Sequence, residues 1–484
     1  MKRITGRFFV LLLCALLFTG SAEAGNFSEL QGAINGTNEG ATLTLSDDYT
    51  YDVLNGETGI TVEGIIIDKP ITIDGANHVV DAMGMARIFK VTGTNVVFKN
   101  LTITKGGYAA ADSKKGTVSG GGVYVGRNLV VAFDNVKITK CGTEKGVHTK
   151  DGGAALFIDA KAKVTFKNCE ISENTGKDRA GGIYLIGNAV LENTNIINNI
   201  CGSRGGGVYV DPGFTYPERG GEWGGNIKMY NCTVSGNRGG RGGGVYINPE
   251  NETLNIFENC TIASNDVSTD GVGNGGGILF YCANGKAVNC KMVDNKAKRG
   301  GGIILDVASN VELENCTVTG NEATVDGSGL YAFDGSHDDN VMKRIGEATF
   351  KNCIIKGNYV VSGDVKNAQD ISINYTDEAT AEKRRGVNKE EFPPDGMITE
   401  ESDPDEYPFW THELWTARYD GRFTSSGGNT IGKVFRNENI RLAATDKVEA
   451  VEPPYSDGSS GCSAASFPLL LLAFGGAAIF FKKR

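Results

Sequence analysis

Seven pairs of asparagines stand six residues apart along the chain: Asn168 with Asn174, Asn193 with Asn199, Asn231 with Asn237, Asn259 with Asn265, Asn289 with Asn295, Asn315 with Asn321, and Asn352 with Asn358. The shortest step between pairs, Asn168 to Asn193, is 25 residues. A unit that short cannot bury a core alone, so the repeat excludes a string of independent domains and requires copies stacked on one another. Around the pairs run short alternations of apolar and polar residues: Phe166 and Ile171 flank Asn168, Met229 and Val234 flank Asn231, and Phe257 and Ile262 flank Asn259. The alternation is that of strands, and none of these runs reaches the length of a helix.

A second element, two glycines followed by apolar-x-apolar, lies between the asparagine segments. It occurs at Gly121-Gly122, Gly181-Gly182, Gly206-Gly207, Gly243-Gly244, Gly276-Gly277 and Gly301-Gly302, with Gly152-Gly153 and Ser328-Gly329 as weaker copies. Such positions explain why 68 of 484 residues are glycine, about twice the usual share. Only 11 prolines accompany them, which excludes a collagen-like rod. The pattern predicts an all-β, parallel solenoid of about a dozen coils, with asparagine and glycine turning the corners in the left-handed backbone region. Each coil adds one strand spacing, ~4.8 Å. Asn26 followed by Glu29 predicts an N-terminal capping helix within residues 25–40, with Phe27, Leu30, Ala33 and Ile34 facing the first coil. Repeats then fill 41–360, terminal coils with a long insertion 361–445, and a linker 446–461.

Six cysteines directly follow the first asparagine of a pair: Cys169, Cys232, Cys260, Cys290, Cys316 and Cys353. Leu101 and Val136 hold that register after Asn100 and Asn135, so the position points inward. Two readings stay open, a column of buried free thiols or disulfides between coils, for which parallel side-chain vectors are poor geometry. No Cys-x-x-Cys or histidine pair accompanies the column, so neither a metal site nor a cofactor is expected.

The alternating Gly-Gly and Phe-x-Asn elements resemble the repeats of chlamydial polymorphic outer-membrane proteins and of bacterial right-handed β-helix surface proteins, over roughly residues 40 to 360. The resemblance implies a single-stranded right-handed parallel β-helix of the pectin-lyase-like kind. Two departures stand out: the phenylalanine lies two residues before asparagine instead of three, and no long C-terminal barrel segment follows the repeats.

Residues 1–24 read as a signal peptide, with Lys2, Arg3 and Arg7 before an apolar run and cleavage after Ala24. At the other end, Gly461-Cys462-Ser463 precedes an apolar stretch from Ala464 to Phe481 and a basic end. This arrangement resembles a Synergist-type C-terminal sorting tag (462–484), implying processing near Cys462 and delivery to the surface of a two-membrane bacterium. A plain membrane anchor is the alternative, since the stretch is just long enough to span. The whole chain carries −10, and residues 1–24 and the last three residues hold net +2 and +3, so the segment between them carries −15. That charge argues against nucleic acid as a partner.

Candidate chemistry falls in three groups. Asp334, His337, Asp338 and Asp339 lie in one insertion and are the weak catalytic candidates, with Asp47-Asp48 the other acidic pair; a glycosidase needs two positioned carboxylates. A second insertion, Asp211 to Asn226, brings Trp223. Tyr124, Tyr184, Tyr209, Tyr246 and Tyr331 occupy the middle position of the Gly-Gly strand, with Ala155, Leu279 and Ile304 in the remaining coils, and are expected to face outward as a stacking row for glycans or a protein. Lys150, Arg179, Arg204, Arg241 and Arg299 stand three residues before the second glycine and form a basic row, to be neutralised by an anionic polymer or by acids such as Glu173 or Asp178. Three functions fit: a surface rod binding host or environmental glycans or surface proteins, a polysaccharide lyase or hydrolase, and a structural envelope component. The first is preferred, because repetition supplies a long rigid face.

Overall fold

The computed structural model describes residues 24–452 apart from 55–56, 58, 108–118, 143–151, 213–223, 250, 268–272, 307–308, 334–345, 374–422 and 436–439. A typical coil contains three strands, and some add a short fourth one, such as Lys296–Arg299, that pairs outside the main sheet. In one coil the three are Val208–Val210 after Gly206-Gly207, Ile227–Tyr230 before Asn231, and Thr233–Ser235 after it. Each strand pairs in parallel with its equivalent one coil on, placing Tyr209 beside Tyr246, Met229 beside Phe257 and Val234 beside Ile262. Among the described residues, 36 strands join in this way into one continuous sheet wound around a single core.

The inward positions stack like on like. Phe98, Phe133 and Phe166 lie with ring centroids 5.0 Å apart and nearly parallel planes, one ring per coil. The described cysteines carry no disulfide, and those of the column are buried directly inside the corner asparagines. Their thiols donate to nearby carbonyls, as Cys169 does to Lys167 O at 3.2 Å.

The two asparagines of each pair do different work. The first is a left-handed corner, with φ of 54° at Asn168 and 53° at Asn231, Asn259, Asn289 and Asn315. Exposed amides pair between these corners, Asn193 to Asn168 at 3.3 Å, Asn289 to Asn259 at 3.1 Å and Asn352 to Asn315 at 3.3 Å. The second asparagine is fully buried. Asn265 Oδ1 accepts from both the main-chain N and the Nδ2 of Asn237, while its own Nδ2 donates to Asn295 Oδ1 and Val234 O. The same bonds repeat from Asn174 to Asn358, and the buried ladder ends on the Asp370 carboxylate, which accepts from Asn358 N and Nδ2. A buried amide ladder is stable only when every group is satisfied, and here each one has partners in the coils on either side.

This ladder explains the second glycine of the doublet. A Cβ on Gly207 would sit 2.7 Å from Gly244 O and 3.1 Å from the Asn237 side chain; on Gly302 it would sit 3.0 Å from Asn321. These glycines are therefore not left-handed corners, as expected from sequence, but places where strand and amide ladder approach too closely for a side chain.

The helix Phe27–Gly36 closes the first coil, with a reciprocal capping box between Asn26 and Glu29 and with Phe27, Leu30 and Ile34 buried. At the other end the sheet runs further than expected. Lys447–Glu452 pairs in parallel with Thr430–Phe435, so the beginning of the stretch read as a linker from 446 belongs to the solenoid. Among the described residues no helix is long and apolar enough to cross a membrane. Residues 1–23 and the segment around Cys462 lie outside the described residues.

Candidate functional site

The distance between consecutive coils varies mainly on either side of the Gly-Gly strand. In sequence, 24 residues separate Gly207 from Asn231 and 23 separate Gly329 from Asn352, against 13 between Gly302 and Asn315. Length variation that recurs beside one strand of a repeat often marks the binding side of a solenoid. The outward residues of this face therefore deserve comparison coil by coil.

The tyrosine row differs from the sequence expectation. Tyr184, Tyr209, Tyr246 and Tyr331 are buried, Tyr124 is half-buried, and with Phe157, Leu279 and Ile304 they form a second apolar cluster outside the main core. The middle position in the coil of Gly152-Gly153 belongs to Phe157, which pairs with Tyr184; Ala155 stands two residues earlier. Rings stack from coil to coil, Tyr184 on Tyr209 at 5.4 Å and Tyr209 on Tyr246 at 5.1 Å. The cover comes from the same coil. Gly205, with φ of 68°, folds back so closely that a Cβ there would lie 2.7 Å from Cβ of Tyr209, and Gly242 approaches Tyr246 likewise. No stacking platform for sugars exists at Tyr184, Tyr209 or Tyr246. Burial also pushes the Tyr209 phenol well above its ordinary pKa, so it stays neutral and is unfit as a base.

The basic row is real as a backbone register: Arg179, Arg204, Arg241, Asn274 and Arg299 bridge in succession. Its first member is not Lys150, which lies outside the described residues; Gly152 takes the place beside Arg179. The side chains then diverge. Arg179 is buried and its Nη1 donates to Asp211 Oδ2 and Tyr184 Oη, both at 2.9 Å, while Tyr184 Oη donates to the same carboxylate oxygen at 2.8 Å. Burial works to lower the Arg179 pKa, but Tyr184, Tyr209 and Asp211 outweigh it and hold the guanidinium above its ordinary value. Asp178 is only a distant partner at 3.9 Å, and Glu173 instead faces Lys140. Arg179 is thus neutralised by Asp211, a residue that follows the strand and that sequence reading assigned to an insertion.

Arg204 and Arg241 are half-buried, and among the described residues no carboxylate pairs with either. Arg204 has one weak contact, 3.4 Å to Tyr209 Oη. The two arginines stand one strand spacing (~4.8 Å) apart in the backbone register, and like charges stacked in this way repel each other unless an anion lies between them. At the acidic pair Asp47-Asp48, Asp48 bonds His78 Nδ1 at 3.0 Å. Asp334, His337, Asp338, Asp339 and Trp223 lie outside the described residues. Among the described residues no three His, Cys, Asp or Glu side chains gather as a metal site.

Comparison with known proteins bears on the fold. The model of the family described as "Right handed beta helix region" matches residues 53–267 and 220–382. The chain belongs to the right-handed β-helix family. No curated protein matches it. Solved structures similar to it include the periplasmic alginate epimerase AlgG (9% identity, 88% of each chain covered, TM-score 0.37). Another is the alginate lyase AlyF-OU02 with G6 (11%, 89% of this chain and 86% of that one, 0.34). A third is a PL6 alginate lyase in complex with a trisaccharide (12%, 88% and 85%, 0.29). Values this low carry nothing about function.

Proposed function

We propose that this β-helix is an exported, non-catalytic binding rod whose Gly-Gly face takes an acidic polysaccharide. The observation that carries the reading is the pair Arg204 and Arg241, half-buried in successive coils without a carboxylate partner among the described residues. Fixed guanidinium groups in a partly desolvated setting bind carboxylates through charge-assisted hydrogen bonds. The acidic remainder of the chain repels polyanions elsewhere and so confines them to this stripe. In the same reading, residues 1–24 are removed after Ala24 and the segment around Cys462 holds the protein at the cell surface.

The test is binding of the purified protein to acidic and neutral polysaccharides, with Arg204→Gln/Arg241→Gln alongside. Binding confined to acidic polymers, weakened by added salt and lost in the double variant, is expected. Equal binding by the variant refutes the reading. A turnover assay on the same polymers, with Asp338 and Asp339 replaced in parallel, decides against it if acid-dependent cleavage appears.

A further inference from the structure

The two ends of the solenoid are finished differently. At the first coil the helix Phe27–Gly36 lies over the core with Phe27, Leu30 and Ile34 buried. At the last coil Ile440–Arg441 and Lys447–Glu452 pair only backwards, with Phe423–Ser425 and Thr430–Phe435, and among the described residues no strand meets their outer edges. One inward column shows the consequence. Val234, Ile262, Met292, Val318, Ile355 and Ile431 occupy it in successive coils and are fully buried, whereas Val448, next in register, is only half-buried. Val451 follows the buried Val434 in the same way and is 45% exposed, and Ile440 and Leu442 are half-buried against the same core. An unpaired strand edge beside half-covered apolar side chains is a template for a further strand, and the end of a solenoid needs a cover.

We infer that the cover is a second copy of this chain, joined tail to tail through the edges of two Lys447–Glu452 strands. The beginning of that strand is complementary to itself. Antiparallel pairing about a two-fold axis at Val448 sets Lys447 of each protomer opposite the partner's Glu449, with the two Val448 side chains meeting over the joined cores. Lys447 and Glu449 are both exposed in the single chain, so the paired charges lie on the outer face. Glu449 also reaches Lys356 of its own chain at 3.5 Å, an exposed and therefore weak contact. A register centred on Glu449 would instead oppose two carboxylates, which is unfavourable. Because the helix closes the opposite end, only like ends can meet, and association stops at two copies where head-to-tail stacking would grow a fibre. The inference stands apart from the binding reading above, since it involves neither Arg204 nor Arg241.

Sedimentation equilibrium tests it on the full exported chain, on Lys447→Glu and on the exchanged pair Lys447→Glu/Glu449→Lys, with folding checked by thermal unfolding. The native chain is expected to show a monomer–dimer equilibrium. Lys447→Glu turns two ion pairs into two like-charge contacts and is expected to weaken the dimer about tenfold or more, and the exchanged pair is expected to restore it. A native chain that stays monomeric overturns the inference in favour of a cover from its own sequence. A dimer untouched by Lys447→Glu, one that the exchanged pair fails to restore, or growth beyond two copies overturns it as well.

Discussion

Replacing Asn265 with alanine tests whether the buried amide ladder holds the solenoid together. The substitution removes the acceptor for two donors of Asn237, its main-chain N–H and one Nδ2 proton, each at 3.0 Å. It also takes one donor from Val234 O (3.0 Å) and one from Asn295 Oδ1 (2.9 Å). Those groups lie in the core, where each stranded donor costs about 1–3 kcal/mol, so the sum is about 4 kcal/mol. The corner residue of the same coil is the control. Asn259 has φ of 53° and an exposed amide; alanine there costs about 1 kcal/mol for the left-handed backbone. A long solenoid need not unfold in one step, so the readout is native-state hydrogen exchange coil by coil. Asn265→Ala is expected to speed exchange in the coils of Asn237, Asn265 and Asn295 about a thousandfold, since 1.4 kcal/mol is about a factor of ten. Acceleration below tenfold, or no greater than that from Asn259→Ala, refutes the assignment.

Three further outcomes follow from the same geometry. Arg179→Gln removes the counter-charge of the buried Asp211 carboxylate and is expected to cost about 3 kcal/mol, whereas Arg204→Gln costs under about 1 kcal/mol; chemical denaturation of both checks the order. The buried thiols of Cys169, raised to about 11, and of Cys141 and Cys201, raised to about 12, owe that chiefly to desolvation; iodoacetamide at pH 8 is expected to spare them in the native protein and to label them in denaturant. Burial, opposed by its hydrogen bonds, raises the Asp370 carboxyl above the ordinary 3.8. An acid raised on folding stabilises below its unfolded pKa and loses that contribution as pH rises through the folded value. Relative to Asp370→Asn, the native chain is therefore expected to lose stability from pH 3.8 upward and then level off, as denaturation at several pH values will show.

The strands, the cap and the corner asparagines were legible because they rest on local chemistry: alternation, an Asn26–Glu29 capping box, and a residue tolerant of positive φ. What sequence hid was which side of the chain a residue meets once coils stack. The two asparagines of a pair look alike in sequence, yet one is exposed at the corner and the other is buried; the Cβ clash at Gly207 is the tie between the asparagine and glycine motifs. The tyrosines occupy outward strand positions as alternation predicts, but Gly205 and its equivalents turn the preceding segment over them, which no period reveals. The doublet Gly152-Gly153 misled the alignment by two residues, because Ala154 and Ala155 take the places of the glycine doublet and Gly152 bridges to Arg179. The partner of Arg179 was missed because Asp211 belongs to the following coil and meets Arg179 only after the chain has wound around once.

A crystal structure of the protein soaked with an acidic oligosaccharide such as tetragalacturonate tests the central claim most directly. The account predicts sugar density on the Gly-Gly face with carboxylates against Arg204 and Arg241. Density on another face, or an unliganded Gly-Gly face at saturating oligosaccharide, would contradict it.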